Sequence, residues 1–466
     1  MKISFHGAAR TVTGSKHLVE LPDRRKILLD CGLFQGMGKD TDRLNRQFGF
    51  DPASVDVLLL SHAHIDHCGL LPRLVAEGFR GKIWCTPATR ALAEVLLRDS
   101  AKIQEDEIRY VNKRRKAQGL PLLKPLYSVE EASACTVLFE VAEYDQWVEV
   151  LPAIQVQFTD AGHIIGSAAV HLRYTEAGIT RQLTFSGDVG RYGDAILRSP
   201  APFSQADVLI LESTYGNSLH PLHVTSTDLL LRHIEETCLQ RKGKLVIAAF
   251  SVGRTQELLY FLNQLELENR LPAVPVYLDS PLSVEATEIV KSFPANFNKT
   301  IQQVMRSDAD PFGFPQLKYI RTVDQSKQLN FENGPMVIIA ASGMADAGRV
   351  KHHISNTVEN SRNRILFTGY CEPRSLGGRL LSGQKEVSIY GIVHEVHASV
   401  GQIRSMSAHG DYDDLCQWLS AQDPKKVQEL FLVHGEYEVQ QAFRDRLIKK
   451  GFDSVRIPEM HSVFSV

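Results

Sequence analysis

The segment His62-Ala63-His64-Ile65-Asp66-His67 follows directly on the apolar run Val57–Leu60. An apolar run that ends in such a cluster predicts a buried strand whose C-terminal end carries the chemistry. Donors spaced i, i+2, i+4 and i+5 in one loop can divide between two metal ions. Imidazole suits zinc, and carboxylate oxygens can join or bridge. A lone histidine would read more simply as a loop residue with no ligand role, but a cluster of this density does not. The chain must therefore adopt a fold that brings further donors to the same strand end.

Three later segments supply candidates. Asp160-Ala161-Gly162-His163 places a histidine between glycines after a strand-like run. Phe185-Ser186-Gly187-Asp188-Val189-Gly190 places an aspartate in a glycine turn, and Ser407-Ala408-His409-Gly410-Asp411 adds a distant histidine. Taken alone, His163 is a turn histidine and Asp188 an Asx-turn residue. In a metal site, the Asp188 carboxylate could bridge two ions.

At 466 residues the chain is long for one core, since chains beyond roughly 250–300 residues usually divide. Up to about residue 210 it reads as short strands: Lys26–Asp30, Val55–Leu60, Lys82–Thr86, Ile154–Phe158 and Gln182–Ser186. A helical interval, about Ala88–Ala117, interrupts them and ends in Lys113-Arg114-Arg115-Lys116. That run is either a solvated helix end or part of an anion-binding face. After Tyr215, continuous apolar strands (Lys244–Phe250, Val274–Asp279, Met336–Ala341, Arg364–Phe367) alternate with helices, the pattern of a parallel, doubly wound sheet. Strand texture returns with Val387–Tyr390 and Leu430–Val433. The expected divisions are 1–215, 216–370 and 371–466.

Composition narrows the classes. The net charge of −2 argues against bulk electrostatic binding of nucleic acid, leaving room for a local basic groove. The seven cysteines are scattered and form no C-x-x-C pair, which predicts a reducing cytoplasm and no disulfide framework. No apolar run approaches the roughly 18 residues that span a bilayer, and the N-terminus lacks a signal-peptide layout. No membrane partner is expected.

In order, His62, His64, Asp66, His67, His163 and Asp188 resemble the ligand motifs of the metallo-β-lactamase superfamily. Asp30, in Leu28-Leu29-Asp30-Cys31-Gly32, matches its opening aspartate, which supports the site from behind the ligands. Leu209-Ile210-Leu211-Glu212-Ser213-Thr214-Tyr215-Gly216 resembles the acidic motif that opens the β-CASP region of nucleic-acid-processing members, and Ser407-Ala408-His409 the late histidine motif of that branch. Gly7-Ala8-Ala9, Val12-Thr13-Gly14-Ser15 and Val433-His434-Gly435-Glu436 resemble bacterial relatives of the endonuclease subunit of the pre-mRNA 3′-end cleavage complex. No extra N-terminal RNA-binding module is expected, because the chain starts at the first strand.

The resemblance implies an α/β fold: an αββα sandwich carrying an inserted, doubly wound β-CASP domain. It implies two zinc ions, one on His62, His64 and His163, the other on Asp66, His67 and His409, with Asp188 bridging. It also implies hydrolysis of single-stranded RNA by a zinc-activated hydroxide, endonucleolytic with 5′-exonucleolytic action as an option. Catalytic support is expected from Asp66, Asp30, Glu212 and His409. A homodimer is compatible with this picture. The further histidine of the eukaryotic endonuclease aligns with Arg379, a residue too basic to donate a proton. Glu212 would then orient His409 instead. Ser251, Arg254, Ser342, Arg349, Ser375 and Arg379 lie at strand-to-helix junctions, where backbone N–H groups can bind phosphate. The rival readings are a metallo-hydrolase of a small thioester or lactam, and a non-catalytic RNA-binding scaffold.

Overall fold

The computed structural model describes residues 1–176, 178–220 and 226–466. The chain divides into two compact units, Met1–Leu219 with His409–Val466, and His220–Ala408.

The first unit is built on two seven-stranded sheets. One contains Lys2–Gly7, Lys16–Glu20, Lys26–Leu29, Val57–Leu59, Lys82–Cys85, Phe139–Val141 and the edge strand Val463–Ser465. The other contains Val148–Leu151, Ile154–Asp160, Ala168–Glu176, Ile179–Phe185, Val208–Glu212, Glu429–Val433 and Val455–Arg456. Side chains alternate across a strand. Ile27, Leu29, Val57 and Leu59 face Phe158, Val170, Phe185, Ile210 and Val433 across the inter-sheet core. Leu28 and Leu58 point the other way and are also fully buried, which is why these strands read as unbroken apolar runs. Leu209, Leu211, Leu430 and Leu432 pack against Leu415, Trp418, Phe443 and Leu447 of the helices Tyr412–Leu419 and Tyr437–Lys449. Helices Leu71–Ala76 and Pro87–Ala117 bury Leu71, Leu74, Leu92 and Leu96. Two sheets between two helical layers make a four-layer αββα sandwich.

Strand direction positions the site. Lys26–Leu29, Val57–Leu59 and Lys82–Cys85 run parallel, so Asp30 and the His62–His67 loop leave the same sheet edge. In the second sheet Ile179–Phe185, Val208–Glu212 and Glu429–Val433 run parallel. Ile154–Asp160, two antiparallel steps away, shares their direction. Glu212 ends its strand, and the segments that follow the other three carry His163, Asp188 and His434.

The second unit holds a six-stranded sheet whose paired strands are all parallel. Val246, Ala248, Ile338, Ala340, Ile365 and Phe367 pack with Val350 and Ile354 of helix Arg349–Thr357. Its last strand, Ser399–Gln402, pairs with Arg364–Phe367. The sequence reading divided the chain at 370, whereas the compact unit runs to Ala408. Ser-Val-Gly-Gln is a weak strand former on its own, and it is the partner strand that holds it in the ladder.

Candidate metal centre

Four donors converge first. His62 Nε2 lies 3.2 Å from His64 Nδ1, and His163 Nε2 lies 3.1 Å from the same atom. Asp188 Oδ2 is 3.5 Å from both His62 Nε2 and His163 Nε2. Bonds of about 2.0 Å arranged tetrahedrally leave donor–donor edges of about 3.3 Å, so this set fits one metal ion. A second set joins Asp66, His67 and His434. Asp188 Oδ1 lies 3.3 Å from His67 Nε2 and 3.7 Å from His434 Nδ1, and Asp66 Oδ2 lies 3.4 Å from His434 Nε2. One carboxylate thus turns an oxygen toward each set.

The hydrogen-bond pattern behind these rings selects their tautomers. Asp30 is fully buried. Its carboxylate accepts from the backbone N–H of Ser61 at 2.8 Å, from Ser61 Oγ at 2.8 Å and from His67 Nδ1 at 2.7 Å. With its hydroxyl hydrogen spent on Asp30, Ser61 Oγ accepts from His62 Nδ1 at 3.0 Å. Thr214 Oγ1 donates to the His434 carbonyl at 3.1 Å and so accepts from His434 Nδ1 at 3.0 Å. Each ring is left with Nε2 as a bare lone pair aimed inward. His67 Nε2 and Asp188 Oδ1 are buried with no hydrogen-bond partner among the described residues. Facing lone pairs and carboxylates require a cation, and a metal ion supplies it.

The electrostatics agree. Burial holds His62 well below its ordinary pKa and His64 at about 4, so both rings are neutral and fit to ligate. Burial would lower His67 too, but Asp188 and Asp66 raise it well above the usual histidine range: with no metal its Nε2 takes up a proton, the positive charge that a bound cation would replace. Burial would raise Asp188, yet His434, His67 and His409 keep it far below the carboxylate range.

His409 occupies a different place from the one expected. Sequence put it with Asp66 and His67; the structure groups His434 with them. His409 Nδ1 instead faces Glu212 Oε1 at 3.1 Å, with Asp188 Oδ2 at 3.9 Å. Glu212 is fully buried and also accepts the Val189 N–H at 2.8 Å. Burial lowers the His409 pKa, but Glu212 and Asp188 outweigh it and raise the ring to about 9. The acid–histidine pair that Arg379 was thought to break is made by Glu212 and His409. His434 was missed as a ligand although its signal was present: it ends the apolar strand Glu429–Val433 as the His62 loop ends Val57–Leu59.

The phosphate-site expectations fare unevenly within the second unit. Arg254 forms an ion pair with Glu257, both side chains being almost wholly buried. Arg349 donates to Asp279 Oδ1 at 2.6 Å and to the carbonyls of Ile320 and Arg321. The Arg254 guanidinium is committed inside the fold, because buried charge must be paired, and the part-buried Arg349 is held by Asp279 and two carbonyls; that corrects their reading as phosphate contacts. The Ser375 hydroxyl caps helix Leu376–Leu381, accepting from the Gly378 N–H at 3.0 Å. The Ser342 hydroxyl donates to the Ala347 carbonyl at 3.3 Å, and Ser251 is buried. Arg379 is half-buried and its Nε donates to the Ser375 carbonyl at 3.4 Å.

Comparison with known proteins agrees with this architecture. Residues 14–235 match the metallo-beta-lactamase superfamily, residues 255–380 the Beta-Casp domain, and residues 393–458 the Zn-dependent metallo-hydrolase RNA specificity domain. The chain is 36% identical over 438 residues to Ribonuclease TTHA0252 of Thermus thermophilus, covering 94% of each protein. It is 30% identical to Transcription termination factor FttA of Methanocaldococcus jannaschii, over 98% of this chain and 72% of that protein. It is 28% identical to Integrator complex subunit 11 of Danio rerio, over 96% of this chain and 71% of that protein. With its donors at the strand ends of an αββα sandwich and a parallel-sheet insertion, the chain belongs to the β-CASP branch of the metallo-β-lactamase superfamily.

Proposed function

We propose that this protein is a zinc-dependent ribonuclease that hydrolyses phosphodiester bonds of single-stranded RNA endonucleolytically, with 5′-exonucleolytic action as an option. The observation that carries the reading is the pair of donor sets sharing Asp188 beside the Glu212–His409 pair. Its likeness to a named ribonuclease over nearly its whole length supports the substrate class.

Two zinc ions per chain are proposed. His62, His64 and His163 would hold one, and Asp66, His67 and His434 the other, with the Asp188 carboxylate facing both sets. When bound, such a pair polarises a phosphoryl oxygen and makes water acidic enough to attack at neutral pH. Asp30 fixes His67 directly and His62 through Ser61. Asp66 is placed to orient the attacking water. Glu212 holds His409 protonated, so its ring can pass that proton to the leaving oxygen. The complete donor set, with its lone pairs directed inward, disfavours a non-catalytic scaffold. Arg379, which has no carboxylate within ion-pair range among the described residues, remains the proposed phosphate clamp, with the Ser251, Ser342 and Ser375 junctions.

No helix among the described residues is long and apolar enough to cross a membrane. The seven thiols form no disulfide, in keeping with the proposed cytoplasmic setting. Sedimentation of the purified chain checks the homodimer that the reading allows.

End-labelled RNA bearing a 5′-triphosphate, 5′-monophosphate or 5′-hydroxyl tests the function. Internal cleavage is expected on all three, stopping with a chelator and returning with zinc. His409→Ala is expected to slow single-turnover cleavage about 10²–10⁴-fold while the bound zinc is retained. RNA left intact at saturating zinc overturns the proposal.

A further inference from the structure

The helix Pro87–Ala117 has two halves of opposite character. Its first half is core: Leu92, Val95, Leu96 and Leu97 are buried, and Ala101 is its last buried residue. Its N-terminus is tied to the metal centre, for the Thr86 and Thr89 hydroxyls both donate to the Gly166 carbonyl at 2.7 Å, three residues beyond His163. From Lys102 to Lys124 no residue is buried. At 1.5 Å per residue, the 31-residue helix carries its far end about 45 Å from that anchor.

The exposed end is a built structure. Asn112 Nδ2 donates to the Leu123 carbonyl at 3.0 Å, and the Leu123 N–H donates to Asn112 Oδ1 at 2.9 Å. Arg115 Nε donates to the Pro121 carbonyl at 2.7 Å, and Arg46 Nη2 to that of Lys124 at 2.9 Å. These bonds fold the return segment onto the helix.

Its surface combines charge with apolar faces. From Ile108 to Val129 there is no acidic residue, while Arg109, Lys113, Arg114, Arg115, Lys116 and Lys124 supply six cations in a chain whose net charge is −2. Arg109 pairs with Asp106 at 2.8 Å; Lys113, Arg114, Lys116 and Lys124 have no carboxylate in ion-pair range among the described residues. Arg114 lies over the Tyr110 ring at 4.9 Å and donates to its hydroxyl at 2.7 Å. Tyr110 and Leu122 are each 59% exposed, and Val111, Leu120 and Leu123 are exposed beside them.

We propose that this helix tip, residues 109–124, is a second RNA-binding surface that grips the strand at a distance from the cleavage site. The proposal rests on RNA being the substrate. Uncompensated cations interleaved with a tyrosine and apolar side chains match a polymer with both a phosphate backbone and stackable bases. A second copy of the chain fits less well, because two such tips repel. Substrates too short to span about 45 Å gain nothing from the tip.

The test compares wild type with the triple variant Lys113→Gln, Arg114→Gln, Lys116→Gln; glutamine keeps helix propensity and the positions are exposed, so the fold is preserved. An RNA of about five nucleotides and one of about thirty bracket the span set by the ~3.4 Å helical rise per nucleotide. Both proteins are expected to cleave the short RNA equally. The variant is expected to bind the long RNA more weakly, with the slope of log K against log salt shallower by about 2, at ~0.7 per lost phosphate contact. An unchanged slope and affinity on the long RNA overturns the proposal, as does unchanged RNA binding with altered self-association in sedimentation. If the wild type cleaves neither RNA, the ribonuclease reading itself fails, which is a separate result.

Discussion

Asp188 and Asp279 are both buried aspartates that draw histidines around them, one in each compact unit. Every oxygen of Asp279 is used: Oδ1 accepts from Arg349 at 2.6 Å, and Oδ2 accepts from His353 Nε2 at 2.6 Å and Ser326 Oγ at 2.5 Å. Burial would raise its pKa, but those hydrogen bonds bring it below the ordinary value. Asp188 has an oxygen without a hydrogen-bond partner, facing a histidine nitrogen in the same state. A buried carboxylate with its bonds complete is holding a fold together. One left incomplete among lone pairs is a site awaiting a cation.

The contrast can be broken most directly at Asp188. Asp188→Asn is expected to lose bound zinc and all measurable cleavage while leaving the circular dichroism unchanged, since the carboxylate faces the donor sets and has an oxygen without a hydrogen-bond partner among the described residues. Zinc measured at two per chain with full activity would dissolve the distinction. Asp279→Ala should do the reverse, costing about 3–5 kcal/mol by leaving Arg349 and His353 unpaired, with zinc content as in the wild type. Denaturant unfolding read alongside elemental analysis separates the two outcomes.

Lys16 sharpens the comparison from the cationic side. It is fully buried, donates to Gly14 O at 3.0 Å and Gly32 O at 2.9 Å, and lies over the Phe34 ring at 4.2 Å, with no carboxylate in ion-pair range among the described residues. Burial lowers its pKa from 10.5 to about 8. The unfolded chain therefore holds this proton more tightly than the folded one. The penalty is full below pH 8 and is relieved as pH rises from about 8 toward 10.5, on the order of 3 kcal/mol in all. Wild type should gain stability over that window relative to Lys16→Met, and parallel pH profiles would remove Lys16 as the cause.

The smallest expected effect is at Asp30, which touches no ion. Asp30→Asn is expected to weaken zinc binding about 10–100-fold, because it loosens His67 and, through Ser61, His62. Zinc affinity equal to that of the wild type would place the tautomer control elsewhere.

Strand-end chemistry was legible throughout: the His62 loop, His163 and Asp188 each follow an apolar run, and the face-to-face packing of the two sheets brings those ends together. The commitments of Arg254 and Arg349 were not legible. Their partners, Glu257 and Asp279, read in sequence as an ordinary helix residue and a strand end. Nor could spacing reveal that the helix after Pro87 leaves the core at Ala101.

The amino-acid order alone determined which side chains could ligate and which strand ends would carry them, because apolar periodicity and local spacing are properties of the chain. The tertiary structure alone decided which histidine joined which group. His434 comes from a strand lying beside Val208–Glu212, more than two hundred residues earlier. It stands at φ 50, a left-handed conformation that a residue other than glycine rarely adopts. That backbone turn sends His434 to Asp66 and Asp188 and leaves His409 to Glu212. Side-chain direction at a loop is set by long-range packing, and no local spacing encodes it.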